Sequence, residues 1–212
     1  MPATLQLAGA AFAFALLLGI PLGVLAATRP GTALDKAASG FAILGQAVPN
    51  FWFAMLLILA FSVWLGWLPA GGSGSLAHLV LPTVALGWFT LATLMRVTRS
   101  SMLETVTSEY VKLARLKGCG PLAVYGKHAL RPALLPVVTL AGINLAHLVG
   151  GTVIVETVFA WPGLGSMIVA AVENRDYPLI QAGVLLTSVV FVLVSLVVDL
   201  LYGVIDPRIR AS

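Results

Sequence analysis

The stretch Ser101–Pro136 reads SMLETVTSEYVKLARLKGCGPLAVYGKHALRPALLP, and it is the one long segment of the chain that is not suited to lipid. In its first half, Ser101–Lys117, apolar residues recur at helical spacing, which predicts an amphipathic helix. The predicted apolar stripe consists of Met102, Leu103, Val106, Tyr110, Leu113 and Ala114. Polar and charged side chains occupy the other face, so this helix is expected to lie outside the membrane spans.

A glycine-containing turn follows the predicted helix. Gly118 stands where a helix can end with a positive-φ residue, and Pro121 suits the first position of a second short helix, Leu122–Leu130. Two short helices joined at a glycine between apolar spans predict a protruding docking element, here called the knob (residues 101–131). The alternative is an ordinary basic loop whose charge only fixes the topology.

The composition excludes a soluble globular protein. Of the 212 residues, 59% are hydrophobic and 9% are charged, and the mean hydropathy is +1.02. A membrane-spanning helix needs about 20 apolar residues. Five stretches reach that length: Leu5–Ala27, Phe41–Leu65, Leu79–Thr98, Ala133–Val155 and Leu179–Val204. We therefore expect an all-α, polytopic transmembrane bundle of about five spans that forms one domain over residues 1–212.

Several kinds of site are not indicated by the sequence. It contains no phosphate-binding G-x-x-x-x-G-K-[ST] motif, so the chain is not expected to bind ATP by that means, and no catalytic constellation is visible. The single cysteine, Cys119, excludes an internal disulfide, and the three histidines are too scattered to predict a metal site. We expect neither an enzyme nor a bound cofactor.

The basic residues predict the orientation of the spans. If five spans simply alternate, eleven of the twelve Lys and Arg residues fall on one side of the membrane and only Arg175 falls on the other. Basic residues concentrate in cytoplasmic loops. The knob and the C-terminus are therefore expected in the cytoplasm. The pI of about 9.6 is accordingly explained by basic residues that set the membrane topology, and not by a nucleic-acid-binding surface.

Four polar residues within or beside the apolar runs are candidates for the lining of a translocation path: Asn50, Asn144, His147 and Glu156. Polar groups at membrane depth are costly and usually face a bundle interior or water. For Asn144 and His147 the alternative is an interhelical hydrogen bond without a transport role. For Glu156 the alternative is a position at the outer membrane interface.

The first predicted span carries glycines at positions 19 and 23. Small residues four apart allow two helices to approach closely. The motif alone is a weak signal, and ordinary packing is the alternative.

The residue identities in the knob point to a family. Residues 109–136, EYVKLARLKGCGPLAVYGKHALRPALLP, resemble the coupling loop of ABC-importer membrane subunits, and more narrowly that of the dipeptide, oligopeptide and nickel permeases. Gly118 matches the fixed glycine of that loop and Ala114 one of its alanines, whereas Lys112-Leu113 replaces its glutamate-alanine start. Two further runs resemble the same branch: GGTVIVETVFAWPGLG at 150–165 and DLLYGVIDPRIR at 199–210.

The resemblance implies a permease subunit of an ATP-driven importer, which carries peptides or a similar small solute across a prokaryotic cytoplasmic membrane. The implied partners are ABC ATPase subunits, a homologous or identical second permease subunit, an external solute-binding protein and membrane lipid, with no nucleic acid. A large residue at Gly118, as in Gly118→Trp, is expected to uncouple ATP hydrolysis from transport. The residues implied to couple the chain to the ATPase are Glu109, Tyr110, Lys112, Ala114, Arg115, Lys117, Gly118 and His128.

Two other functions stay open at this point. An ion-gradient-driven secondary transporter would be expected to carry more charged groups within its spans. A non-transporting membrane scaffold would follow if one wall of the path were absent, because the family normally has one more span before the first one seen in this sequence. For that missing span we expect either a truncation or an upstream start.

Overall fold

A computed structural model of the chain describes residues 1–120 and 123–205, with the side chains of residues 199 and 201–205 excepted. The regular structure within these ranges is helical. A π-helical turn, Ile58–Trp64, continues α3, and another, Val124–Ala129, precedes α6. The helices are α1 (Pro2–Thr28), α2 (Ala33–Ala47), α3 (Asn50–Leu57), α4 (Leu76–Val106), α5 (Glu109–Leu116), α6 (Leu130–Val158), α7 (Leu164–Glu173) and α8 (Tyr177–Ile205).

The described helices confirm an all-α chain built to cross a membrane. Four segments are long and apolar enough to span, and the bent pair formed by α2 with α3 and its π-turn makes up to five. The four are α1, α4, α8 and the helix over Val124–Val158, and they extend the first, third, fifth and fourth predicted spans. Basic residues 208 and 210, in the run that resembles peptide permeases, lie outside the described residues.

The second predicted span, Phe41–Leu65, does not form one continuous helix. The helix axis turns by 110° between α2 and the segment that starts at Asn50. Pro49 sits at this break with φ −62° and ψ 136°, which is extended and not helical. A proline also disfavours the helical conformation of the residue before it, here Val48. The apolar run is therefore divided into two helices.

The two predicted helices of the knob are also corrected. Residues Ser101–Lys117 do not form one helix, because α4 ends at Val106 and α5 starts only at Glu109. The second predicted helix, Leu122–Leu130, is not a separate element in its described part, which is the beginning of the continuous helix over Val124–Val158. The described part of the knob therefore contains one separate short helix, α5, between two long ones.

The chain packs as two compact units. The first comprises Met1–Phe14, Val48–Phe89 and the described residues from Gly142 onward, and the second comprises Ala15–Ala47 and Thr90–Ala141. Buried side chains of the first core include Leu7, Ala11, Leu86, Leu148, Phe159 and Trp161. The second core consists of Ala27, Met102, Val111, Val124, Ala129 and Ala133. The second unit therefore holds the knob.

The predicted close approach at the paired glycines is confirmed within the second unit. A Cβ atom added to Gly19 would lie 2.9 Å from the carbonyl oxygen of Leu91, and one added to Gly23 would lie 2.6 Å from that of Met95. Both oxygens belong to α4. Without side chains at these positions, the backbones of α1 and α4 pack directly against each other.

Gly23→Ala is therefore expected to destabilise the protein by about 1–3 kcal/mol, because a methyl group is forced into a filled contact. Gly9→Ala is the matched control, since an added Cβ at Gly9 in the same helix meets nothing within 4 Å. Thermal unfolding in detergent should show a lower melting temperature for Gly23→Ala and an unchanged or slightly higher one for Gly9→Ala. Equal melting temperatures would disprove the close contact.

Candidate functional site

Helix α5 is set apart from α4 by hydroxyl side chains. The Ser108 hydroxyl donates to the carbonyl oxygen of Thr105 at 2.6 Å, and Thr107 donates in the same way to Glu104 at 2.8 Å. Such local hydrogen bonds compete with helix continuation. Ser108 has an extended ψ of 150°, and its carbonyl oxygen accepts the first hydrogen bond of α5, from Lys112. The break therefore ends α4 and starts a separate helix.

The end of α5 is closed by a glycine motif. Gly118 has φ +81°, and its N–H donates to the carbonyl oxygen of Arg115 at 3.0 Å. The next N–H, of Cys119, donates to the carbonyl oxygen of Ala114 at 3.2 Å. This pair of bonds is a Schellman motif, which satisfies the last carbonyl groups of the helix. The predicted positive-φ helix end at Gly118 is confirmed.

One face of α5 holds the helix to its own unit. Val111 and Ala114 are buried, and Val111 packs in a cluster with Met102 and Val124. Tyr110 and Leu113 were predicted on the buried stripe, but they are exposed, and the prediction is wrong for them. The prediction of the stripe assumed a single helix. Because the helix breaks at Thr107-Ser108, the residues after the break do not face the direction that a continuous helix would give them.

The opposite face of α5 is an exposed apolar ridge bordered by charge. Tyr110, Leu113 and Leu116 are three residues apart, and Leu116 is 84% exposed. Exposed charged residues surround them: Glu109, Lys112, Arg115 and Lys117. Lys112 and Glu109 form a solvent-exposed ion pair at 2.8 Å, which contributes little to stability. Such an apolar ridge with a polar border is suited to a protein partner.

A hydrogen bond between side chains ties α5 to the next long helix. The Tyr110 hydroxyl lies 2.9 Å from Nδ1 of His128, and the two rings meet edge to face at 5.7 Å. The other ring nitrogen, Nε2, lies 4.0 Å from the sulfur of Cys119. The structure thus brings together two residues, Tyr110 and His128, that the family resemblance assigned to the same function.

Glu156, a candidate for the translocation path, is fully buried. Its Oε2 accepts hydrogen bonds from the backbone N–H groups of Gly165 at 2.6 Å and Ser166 at 3.1 Å. These are free N–H groups in the first turn of α7, where a negative charge is favourable. Oε1 has no hydrogen-bond partner among the described residues. The carboxylate is therefore placed to hold α7, and its path role stays a prediction.

Further contacts fix the segment before α7. The Trp161 indole donates to the carbonyl oxygen of Ala3 at 2.9 Å, and the N–H of Leu164 donates to the Thr4 hydroxyl at 2.8 Å. Gly163 leaves no room for a side chain, because an added Cβ would lie 2.1 Å from Cδ of Glu156. The start of α1 and the α7 segment are thereby joined within the first unit.

The other path candidates occupy separate places. Asn50 is the first residue of α3 and is half-buried, and Asn144 is buried on α6. His147 is exposed, packs edge to face on Phe191 at 6.4 Å, and lines a cavity of about 160 Å³ with it. The roles of these residues in a path stay predictions.

Sequence reasoning missed a partly buried ion pair in the second unit. Asp35 of α2 is buried, and both of its oxygens accept from Arg99 of α4, one of them from Nη2 at 2.9 Å. The N–H of Gly31 donates to the same carboxylate at 2.9 Å. The sequence contained a signal that Asp35 needs a basic partner, because it is the only acidic residue before Glu104.

The family described as "Binding-protein-dependent transport system inner membrane component" matches residues 19–211. The dipeptide transport system permease protein DppB of Escherichia coli (strain K12) is 41% identical over 98% of this chain and 70% of its own length. The oligopeptide permease protein AppB of Bacillus subtilis (strain 168) is 42% identical over 99% and 70%. The glutathione permease protein GsiC of Escherichia coli (strain K12) is 44% identical over 98% and 68%.

Solved structures share the fold. A chain of the MetNI methionine ABC transporter in an inward-facing conformation superposes with a TM-score of 0.77 at 23% identity, covering 96% of this chain and 93% of that one. A chain of an amino acid ABC transporter gives a TM-score of 0.76 at 16% identity, covering 96% and 91%.

Proposed function

The chain belongs to the inner-membrane components of binding-protein-dependent transport systems, and we propose that it carries peptides or a similar small solute inward across the cytoplasmic membrane. It is a permease subunit of an ABC importer, and ATP is hydrolysed by a separate subunit. The substrate class is inferred from relatives that are named for dipeptides, oligopeptides and glutathione. These solutes have peptide bonds in common.

The exposed ridge of α5 is the proposed ATPase-docking surface, and it is the observation that carries this proposal. Its apolar residues, Tyr110, Leu113 and Leu116, are each more than half exposed, while Val111 and Ala114 hold the same helix from the buried side. A helix that is held on one face and exposed on the other can transmit a push from a partner. The bordering charges would then select the partner electrostatically.

Cytoplasmic placement of the knob is supported by the distribution of basic residues. Five crossings result if the bent pair of α2 and α3 counts as one span. With that count, eleven of the twelve Lys and Arg residues of the sequence would lie on the side of the knob. The C-terminus would lie on the same side.

The remaining partners follow from surfaces that this chain leaves uncovered. Only 6% of the most apolar stretch of α8 is buried inside the chain, so lipid and a second permease subunit would cover the rest. The solute-binding protein would dock on the opposite side of the membrane from the knob. The path between the subunits would include Asn50, Asn144 and His147, while Glu156 would hold α7 beside it.

ATP-driven closure of the ATPase subunits would move the knob, and the spans would then favour one packing over another. A ligand shifts such an equilibrium only through different contacts in the two states. The Tyr110–His128 hydrogen bond, which joins α5 to the helix over Val124–Val158, is the direct polar link for this motion.

Tyr110→Phe is therefore expected to lower the amount of solute transported per ATP hydrolysed by about fivefold, since one hydrogen bond contributes about 1 kcal/mol. His128→Ala should have a similar effect. The double variant Tyr110→Phe/His128→Ala should be no worse than His128→Ala alone, because the same link is lost. Additive losses, measured in proteoliposomes with the complete transporter, would show that the two side chains act independently.

Site-specific cross-linking tests the docking surface. In a Cys119→Ser background, Leu116→Cys is expected to form a cross-link with the ATPase subunit, with a yield that changes on addition of ATP. Leu76→Cys is the matched control, because Leu76 is 80% exposed and lies at the end of α4 away from the knob. Equal capture at both positions, or capture of lipid alone by Leu116→Cys, would refute the docking assignment.

A further inference from the structure

A cavity of about 180 Å³ opens between α2 and α4 in the second unit. Ala42 and Ile43 of α2 and Met95 of α4 form its apolar wall, and Arg96 and Arg99 add two guanidinium groups. Ile43 is 65% exposed and Arg96 is also exposed, so the cavity is accessible from the surface of this chain. An apolar wall beside two arginines is suited to an amphiphile with a negatively charged headgroup.

The charges around this cavity do not cancel. Asp35 is buried and pairs with Nε and Nη2 of Arg99, which fixes the guanidinium group in place. Arg96 forms no ion pair within residues 1–120 and 123–198. Two guanidinium groups against one carboxylate leave a net positive charge, and Ser39 adds a hydroxyl to the lining.

We propose that this cavity binds an anionic phospholipid, with the headgroup phosphate at Arg96 and Arg99 and an acyl chain along Ile43 and Met95. Arginine is suited to phosphate because its planar group presents several donors at once. The apolar wall offers nothing to inorganic phosphate, whereas it suits a hydrocarbon chain. Basic pockets between membrane helices are a recognised way to hold acidic headgroups. This inference goes beyond the transport function.

The polarity of the site determines which lipid it selects. A zwitterionic phosphatidylcholine carries its own positive group, which the net positive charge of the site would repel. Phosphatidylglycerol lacks that group and has a net negative charge. The selectivity is therefore expected to arise at the headgroup, and the acyl contacts should contribute to both lipids alike.

The test is native mass spectrometry of the complete purified transporter, titrated with palmitoyl-oleoyl phosphatidylglycerol or with the phosphatidylcholine of the same chains. The wild type should retain phosphatidylglycerol in preference. Arg96→Gln should weaken its retention roughly fivefold, and Arg96→Lys should restore most of it. Arg131→Gln is the control, because it removes the same charge from an exposed position on α6 that lines neither this cavity nor the ridge of α5.

Three results would overturn the proposal. One is equal retention of the two lipids by the wild type. Another is the same loss of phosphatidylglycerol in Arg131→Gln as in Arg96→Gln, which would indicate only a general charge effect. The third is displacement of the lipid by millimolar inorganic phosphate, which would assign the arginines to a soluble anion.

Discussion

Glu156→Ala is expected to destabilise the protein by about 3 kcal/mol, a large effect for one substitution. The carboxylate is fully buried and accepts the N–H groups of Gly165 and Ser166. Alanine would leave both donors without their partner, and each unsatisfied buried donor costs about 1–3 kcal/mol. The lost carboxylate would also leave an empty space beside Gly163.

The melting temperature in detergent measures the loss of stability in Glu156→Ala, and hydrogen exchange shows which amides are affected. In Glu156→Ala the amides of Gly165 and Ser166 should exchange faster, whereas Glu156→Gln should be intermediate because it keeps an oxygen acceptor without the charge. Glu173→Ala is the matched control, since Glu173 is an exposed carboxylate at the other end of α7. A melting temperature for Glu156→Ala equal to that of Glu173→Ala would show that the buried contact does not hold α7.

The membrane spans could be predicted from sequence because a run of about 20 apolar residues is characteristic of a transmembrane helix. The bend in the second span could not, although a proline marks it. Pro21, Pro82 and Pro136 lie inside helices that continue through them. Pro49, by contrast, separates two helices with an extended backbone. In a membrane bundle, neighbouring groups decide whether a proline breaks a helix, and neighbours are not visible in the sequence.

The same limit applies to the polar contacts. Sequence reasoning made Glu156 a candidate for the path or for the outer interface, nine residues before Gly165. Nothing in their spacing indicated that the carboxylate returns to the first turn of α7. The Asp35–Arg99 pair joins residues 64 positions apart, and partners at such separations become known only when the helices are placed.

Gly118→Val is expected to reduce solute transport roughly tenfold while ATP hydrolysis and membrane insertion persist. Gly118 has φ +81°, in a left-handed region that costs a non-glycine residue about 1–2 kcal/mol and a β-branched one more. Valine would therefore abandon the Schellman motif, in which Gly118 and Cys119 donate to the last carbonyl groups of α5. The chain would then leave α5 in another direction, and the docking ridge would turn relative to the helix that follows.

Gly118→Asn separates this explanation from a simple effect of size. An added Cβ at Gly118 meets nothing within 4 Å, so the surroundings do not exclude a side chain, and the backbone conformation alone requires glycine. Asparagine tolerates the left-handed region and is close to valine in size. Transport in proteoliposomes with the complete importer should therefore stay within about twofold of wild type for Gly118→Asn. If both variants lost transport equally, the conformation of this residue would not be what couples α5 to the membrane helices, and bulk at the docking surface would be the reason.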